Sequence, residues 1–222
     1  MEGTPDPWPL WHLVLRTPRL ELRPDDDAGL AELMAEACHG VHPPEEMPFG
    51  MPWTDAPPAD LVRNGMRFYW QQRSMTTPAD WNMNFLIRLD GKVIGCQSMR
   101  AKDFAIRQEV STGSWIGLRH QGNGIGTEMR AAVLMLAFDH LGAHTARSDA
   151  YVDNAKSNAV SRKLGYEPDG TFTDVRRGRK ATQTRLKVTR ETFRRPPWPT
   201  EISGLKEAMD FLDMNVDVTQ PT

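Results

Sequence analysis

Between Val110–Leu118, which reads as a long strand, and Ile125–Leu141, whose apolar residues recur at helical spacing, the chain places Gln121-Gly122-Asn123-Gly124-Ile125-Gly126. No other stretch constrains the fold as much. Glycines let the backbone turn sharply and let a ligand come close, and the free N–H groups at a helix start point at negative charge. Three alternate glycines would otherwise be an entropic burden on a helix start, so the spacing argues for an anion site and not only a tight connection. The pattern is G-x-G-x-G. A dinucleotide fingerprint needs G-x-G-x-x-G early in a parallel βαβ unit, and a phosphate-binding P-loop needs a Gly-Lys-Ser/Thr that does not follow here. Both nucleotide readings fail on spacing.

The elements around this turn point to one α/β domain. Leu13–Leu22 alternates as a strand, with Thr17-Pro18 marking an edge or a bulge. Asp25–Cys38 is acidic at its start and then rich in Ala, Leu and Met, as an N-capped helix is. His39–Asp60 carries six prolines, two glycines, Phe49 and Trp53, a long structured loop of the kind that often carries function. A helix is predicted over Ala59–Arg73. Phe85–Leu89 and Lys92–Met99 flank Asp90-Gly91, the strongest hairpin signal in the chain. After the glycine-rich turn, Gly142 supplies a helix stop and His144–Val152 a strand. Asp153–Leu164 follows as a short helix capped by Asp153, and Phe172–Arg177 with Thr182–Val188 forms a last hairpin around Gly178. The order implies a mixed, mostly antiparallel sheet flanked by helices, an α/β (α+β) fold with one parallel crossover at the glycine turn. Residues 1–12 are a Pro/Trp-rich lead-in, 13–195 the domain, and 196–222, opening on Pro196-Pro197-Trp198-Pro199, a C-terminal extension.

Composition narrows the function classes. The chain has 222 residues, 27 Lys and Arg against 29 Asp and Glu, and a formal charge of −2. That balance gives no electrostatic case for nucleic acid or an anionic membrane. No window approaches the roughly 18 apolar residues of a membrane helix. The N-terminus lacks the basic-then-apolar order of a signal peptide. Cys38 and Cys96 cannot form a disulfide framework. A cytoplasmic enzyme or ligand-binding domain is expected. No His pair has metal-ligand spacing on a helix, so no metal is expected.

Gln121-x-x-Gly124-x-Gly126 at a strand–helix junction resembles the pyrophosphate-binding signature of the GNAT superfamily, the acyl-CoA-dependent N-acyltransferases. Arg16-Thr17-Pro18-Arg19-Leu20 is similar to the first strand of the branch containing the ribosomal-protein N-terminal acetyltransferases. Leu89-Asp90-Gly91-Lys92-Val93-Ile94-Gly95 is similar to the family's central hairpin. Asn154-x-x-Ser157 with Leu164-Gly165-Tyr166 is similar to the helix after its fifth strand. Together these cover residues 13 to about 190 in the family's order. Met47-Pro48-Phe49, Pro52-Trp53, Lys102-Asp103-Phe104 and Gly113-Ser114-Trp115 further resemble an actinobacterial subgroup, some members of which use succinyl-CoA as well as acetyl-CoA.

The resemblance implies splayed strands four and five with pantetheine between them, and transfer of an acetyl or succinyl group from CoA to an amine. The backbone of Trp115, Ile116 and Leu118 would pair with pantetheine. The amides of Gln121, Gly122, Asn123, Gly124, Ile125, Gly126 and Thr127 would hold the pyrophosphate, and Asn154 and Ser157 would line the arm. Lys156 or Arg162 would reach the 3′-phosphate, unless both are solvated surface charges. The acceptor is a protein N-terminus, a lysine or a small amine. Most of a lysine-type amine, pKa about 10.4, is protonated at neutral pH, so a base must assist. Glu109 is the first candidate and Asp103 the second, each with the bland alternative of a solvent-facing acid. A backbone N–H near Ile116–Leu118 would stabilise the oxyanion. Ser161 stands where many family members have a tyrosine acid. A serine cannot give up a full proton to a thiolate of pKa about 8.5, so Ser161 is expected to hydrogen-bond the sulfur, with Tyr151 as an alternative donor. Arg176-Arg177-x-Arg179-Lys180 would attract an acidic acceptor or a succinyl carboxylate, or form a solvated turn. His39 and His42 would line an acceptor pocket or loop surface, and Cys96 is expected to be a buried inert thiol. A different class of function, a non-catalytic acyl-CoA sensor or scaffold on the same fold, and a homo-oligomeric state both remain open on sequence.

Overall fold

Asp90 and Gly91 take positive φ, 50° and 79°, as a two-residue hairpin turn matched to strand twist requires. Around them the computed structural model, which describes residues 4–214, builds one sheet. In chain order the elements are β1 Val14–Arg16, β2 Leu20–Pro24, α1 Asp27–Cys38, α2 Pro58–Ser74, β3 Asp80–Leu89, β4 Lys92–Lys102, α3 Phe104–Arg107 and β5 Glu109–Ile116. They continue with α4 Ile125–Met135, β6 Thr145–Tyr151, α5 Ala155–Lys163, β7 Glu167–Arg176, β8 Arg179–Thr189, β9 Glu201–Ser203 and α6 Leu205–Phe211. Among the described residues nine strands form a single sheet in the order β7-β8-β6-β5-β4-β3-β2-β1-β9. Among the described residues only β5 and β6 pair in parallel.

The sheet is covered on both faces, which is why Met83–Ile87 of β3 is apolar, Asn84 excepted, and buried without alternation. On one face lies α4, apolar nearly all round and buried from Glu128 to Met135. On the other, α1 and α2 enclose Leu30, Leu33, Met34, Leu61 and Tyr69.

Several expectations need correction. The strand expected over Leu13–Leu22 is a hairpin, β1 and β2, closed at Thr17-Pro18-Arg19 with Thr17 N–H on the Leu20 carbonyl at 3.0 Å. Nor is β1 an edge: β9 pairs with it, Leu15 opposite Ile202. Residues 201–214, placed with the extension, thus add a strand and bury Ala208, Leu212 and Met214 in the main core; residues 215–222 lie outside the described residues. In the lead-in, Leu10 is buried and Trp8 packs on Phe211, ring centroids 5.1 Å apart. The helix expected to reach Leu141 widens into a π turn over Leu136–His140. Asn154, not Asp153, caps α5, accepting from Ser157 N–H at 3.1 Å; Asp153 instead pairs with Arg176.

Candidate active site at the strand splay

β5 and β6 pair only from Glu109 opposite Thr145 to Ser111 opposite Arg147. Beyond that point β5 stays with β4 to Ile116 and β6 stays with β8 to Tyr151, so the two strands diverge and leave a cleft. Gly117 N–H donates to Ile94 O at 2.9 Å. By antiparallel alternation, residues 113 and 115 then bond to β4, while the backbone groups of Ser114 and Ile116 turn toward the cleft. Trp115, expected on the pantetheine, therefore has its backbone in the β4 ladder. Its indole packs on Trp53 at 5.4 Å and donates to Tyr69 OH at 3.2 Å on the opposite face. Leu118 N–H is committed to Gly40 O at 2.9 Å. Of the strand residues expected to bind, Ile116 alone turns toward the cleft, and there its N–H is the uncommitted group, since its carbonyl accepts from Gln121 Nε2.

The glycine turn sits at the cleft mouth. Gly122 and Gly124 have φ of 84° and 78°, a region that side chains rarely enter. Gly126 is helical, and a Cβ there would make ordinary contact with Val160 and Ile116. Gln121 N–H donates to Leu118 O, and Thr127 and Glu128 N–H to Gly124 O. Among the described residues, the N–H groups of residues 122–126 have no acceptor in the chain. The expected row of seven amides is therefore five, all at the positive end of α4.

Three ties fix this turn. Glu128, buried, accepts from Thr17 Oγ1 at 2.6 Å, Arg19 N–H at 3.1 Å and Arg19 Nε at 2.7 Å, and Arg19 Nη1 reaches Asn123 O at 3.0 Å. That is the physical content of the Arg16-Thr17-Pro18-Arg19 motif. Buried Glu36 of α1 accepts from Arg119, and it fits only because residue 117 is glycine: a Cβ there would lie 1.9 Å from Glu36 Oε1. Gln121 Nε2 donates to Val41 O at 2.7 Å and Ile116 O at 3.0 Å, and its Oε1 accepts from Lys156 at 3.0 Å. The Gln121 side chain therefore positions the turn.

On the other wall, α5 presents Asn154, Ser157 and Ser161 along one face. Ser161 is buried and accepts from Arg130 of α4, whose second amino group bonds Ser114. Arg130 was missed in the sequence, although an arginine inside the apolar run Met129–Leu136 is the signal that marks it.

The expected bases are not brought to this apex. Glu109 lies at the paired end of β5, its oxygens accepting from Arg107 at 3.2 Å and Arg147 at 2.7 Å. Asp103 is exposed in the turn after β4, beyond the same end of the sheet. Tyr151 OH donates to Asp174 at 2.9 Å, and burial pushes the phenol above its usual value. Cys96 is buried, its thiol pushed up to about 12 by desolvation.

The loop between α1 and α2, residues 39–57, packs against β5 and the last hairpin. Phe49, Trp53 and Trp115 form a stack with centroids 5.2 and 5.4 Å apart. His42 bonds Thr54 at 2.7 Å, and His39 bonds Ala35 O at 2.9 Å. The basic cluster at the last hairpin clamps this loop: Arg177 Nε reaches Asp55 at 2.8 Å and Arg177 Nη1 reaches Pro44 O at 3.0 Å, while Arg176 pairs with Asp153 at 2.7 Å. Two of its four cations are thus engaged within the chain. Among the described residues no group of three or more His, Cys, Asp or Glu side chains could hold a metal ion, and no helix is long and apolar enough to cross a membrane.

A parallel pair that splays beside a glycine turn opening on five uncommitted amides is the architecture of an acyl-CoA-binding transferase fold. The sequence matches the acetyltransferase (GNAT) domain over residues 19–167, and the chain belongs to that family. Among solved structures it is similar to Mycobacterium smegmatis RimJ in complex with CoA-disulfide, at 20% identity and TM-score 0.65 over 91% of this chain and 95% of that one. It is also similar to RimL, a ribosomal L7/L12 alpha-N-protein acetyltransferase, at 17% identity and TM-score 0.60 over 78% of this chain and 91% of that one. The microcin C7 self-immunity acetyltransferase MccE, in complex with acetyl-CoA and AMP, matches at 18% identity and TM-score 0.59 over 78% and 93%. At these identities the likeness is one of fold.

Proposed function

We propose that the protein transfers an acetyl or succinyl group from CoA to an amine by direct attack of the amine on the thioester. The row of amides without acceptors, residues 122–126 at the start of α4, carries this reading: it takes the diphosphate of the donor. From there the pantetheine arm runs back along β5 and pairs with the backbone of Ser114 as an added strand would, the Ile116 carbonyl being taken by Gln121 Nε2. Asn154 has its carbonyl oxygen committed to capping, so its amide N–H is the group it offers to the arm. Lys156, held at the mouth by Gln121, lies near the outer phosphates. Of the amides expected to stabilise the oxyanion, Gly117 and Leu118 are committed within the chain, which leaves Ile116 N–H. The acceptor enters beneath the loop clamped by Arg177. With Glu109 tied to two arginines, the amine reacts as its free base, its proton passing to water.

Two results test this. In a thermal-shift series, acetyl-CoA, succinyl-CoA or CoA at 100 times its Kd adds about 2.7 kcal/mol, about 5–10 °C for a chain of this size. NAD and ATP should add nothing. A shift with NAD or ATP alone overturns the reading, and at one equal concentration of the two thioesters a larger shift with succinyl-CoA than with acetyl-CoA identifies the donor. Glu109→Gln should reduce kcat less than about threefold, because the transferred proton does not pass through it. A loss of about 100-fold, the scale of a general base, would restore Glu109 to that role.

A further inference from the structure

Arg130 is only 4% exposed, yet among the described residues its guanidinium makes no ion pair. Nη1 donates to Ser161 Oγ at 2.9 Å and Nη2 to Ser114 Oγ at 3.2 Å, while the buried Nε has no acceptor. Two neutral hydroxyls compensate poorly for a cation taken out of water. Burial disfavours the charged form, but an arginine does not give up its proton in a protein. A fixed positive charge therefore sits inside the molecule with part of its coordination unmet.

Its place in the fold says what completes it. Ser114 belongs to β5 and Ser161 to α5, the helix that follows β6, so the guanidinium ties the two walls together at the apex of the splay. Behind it Thr112 and Tyr166 share a hydrogen bond of 3.1 Å that closes the floor. Each serine oxygen accepts from Arg130, and among the described residues neither hydroxyl donates elsewhere. Both O–H groups remain available as donors, polarised by the cation bonded to their oxygens. An anion arriving at the apex meets two such donors backed by a buried charge, whereas the neutral thioester gains little from them. Interactions that strengthen only as charge develops are those that raise kcat.

We propose that Ser114, Ser161 and Arg130 form the receiving site for the CoA thiolate. The proposal rests on the acyl-CoA reading above. As the amine nitrogen bonds to the carbonyl carbon, the carbon–sulfur bond breaks and its electron pair passes to sulfur. The amine's proton goes to water. The sulfur departs as an anion held by the two serine hydroxyls, and water protonates it as CoA leaves, so no side chain has to act as a full acid. Ser114 and Ser161 touch the leaving group and are catalytic; Arg130 acts through them and is a positioning residue.

CoA itself is the probe, and no acceptor is needed. In a Cys38→Ser background the remaining thiol of the protein, Cys96, titrates only near 12, so ultraviolet thiolate absorbance reports the bound CoA. The unmodified site should hold CoA with a thiol pKa at least one unit below the ordinary value of about 8.5, about tenfold more thiolate at neutral pH. It should also prefer CoA to desulfo-CoA increasingly as pH rises. In Ser114→Ala/Ser161→Ala the thiol should return to about 8.5 and that preference should lose its pH dependence. Arg130→Lys should retain part of the effect and Arg130→Met none; should Arg130→Met fail to fold, the serine pair carries the test. Bound CoA with an ordinary thiol pKa, or a depressed one that survives the double serine change, overturns the thiolate site alone. No binding of either CoA or desulfo-CoA overturns the acyl-CoA reading beneath it.

Discussion

Gly124→Asp will weaken CoA binding by about 100-fold or more, while the protein remains folded. Residue 124 stands at the start of α4 with φ of 78°, so any side chain there carries about 1–2 kcal/mol of backbone strain. At 2–4 °C per kcal/mol for a chain of this length, that lowers Tm by about 2–8 °C. The binding effect is larger and has a separate cause. A carboxylate at residue 124 stands against the amides of residues 122–126, where the diphosphate is proposed to lie, and like charges at contact cost several kcal/mol. About 2.7 kcal/mol of that is already 100-fold. Gly124→Ala separates the two effects, since it has the strain without the charge. It should lower Tm about as much and weaken CoA far less. Calorimetric titration of both variants with CoA decides the matter. If Gly124→Asp binds CoA within about threefold of the unaltered protein, the phosphates do not lie on this turn.

What the sequence disclosed and what it concealed divide along a physical line. The glycine turn and the Asp90-Gly91 hairpin were legible because positive φ is a local demand that few residues meet. The helix α4 was legible because its apolar period runs for several turns. The hairpin of β1 and β2 was not, since its strands of three and five residues are too short for periodicity and its turn is held in place by Glu128, more than a hundred residues away. β9 has three residues, too few for periodicity, and its pairing with β1 depends on the sheet already being built. At the site the same rule holds. Backbone amides at a turn follow from local pattern, whereas which amides are already committed does not: Leu118 is excluded by a carbonyl of the loop after α1. Glu109 looked like a free acid because Arg147, the closer-bound of its two arginine partners, is thirty-eight residues on. Arg130 carried the opposite signal, a charge at a position whose neighbours are all apolar. Such a residue needs a partner in three dimensions, and sequence alone could not supply Ser114 or Ser161.

Gly95→Ala should cost about 3 kcal/mol or more of folding stability, the largest loss expected from removal of any single glycine in the central strands. A Cβ at residue 95 would lie 2.4 Å from Trp115 O and 2.9 Å from Ile116 Cα. Both are backbone atoms of the neighbouring strand, so no rotamer change relieves the clash; β4 and β5 must move apart. Overpacking that side chains can absorb costs about 1–3 kcal/mol, and here the hydrogen-bonded ladder itself has to yield. Against a total stability of about 5–15 kcal/mol, the loss should lower Tm by about 6–12 °C or more. It should also reach the site, because the atoms displaced belong to Trp115 and Ile116, at the end of β5 that borders the cleft. A shift of β5 away from β4 narrows the space in which the donor arm would lie, so CoA affinity should fall together with stability. Gly113→Ala is the control: its Cβ would meet the Ser98 hydroxyl at 3.2 Å, a side chain that can rotate away. Urea unfolding of the two variants distinguishes them. A loss below about 1 kcal/mol in Gly95→Ala would mean that β4 and β5 are not in the register Gly95 opposite Ile116. In that case the phase that turns Ser114 and Ile116 toward the cleft would have to be reassigned.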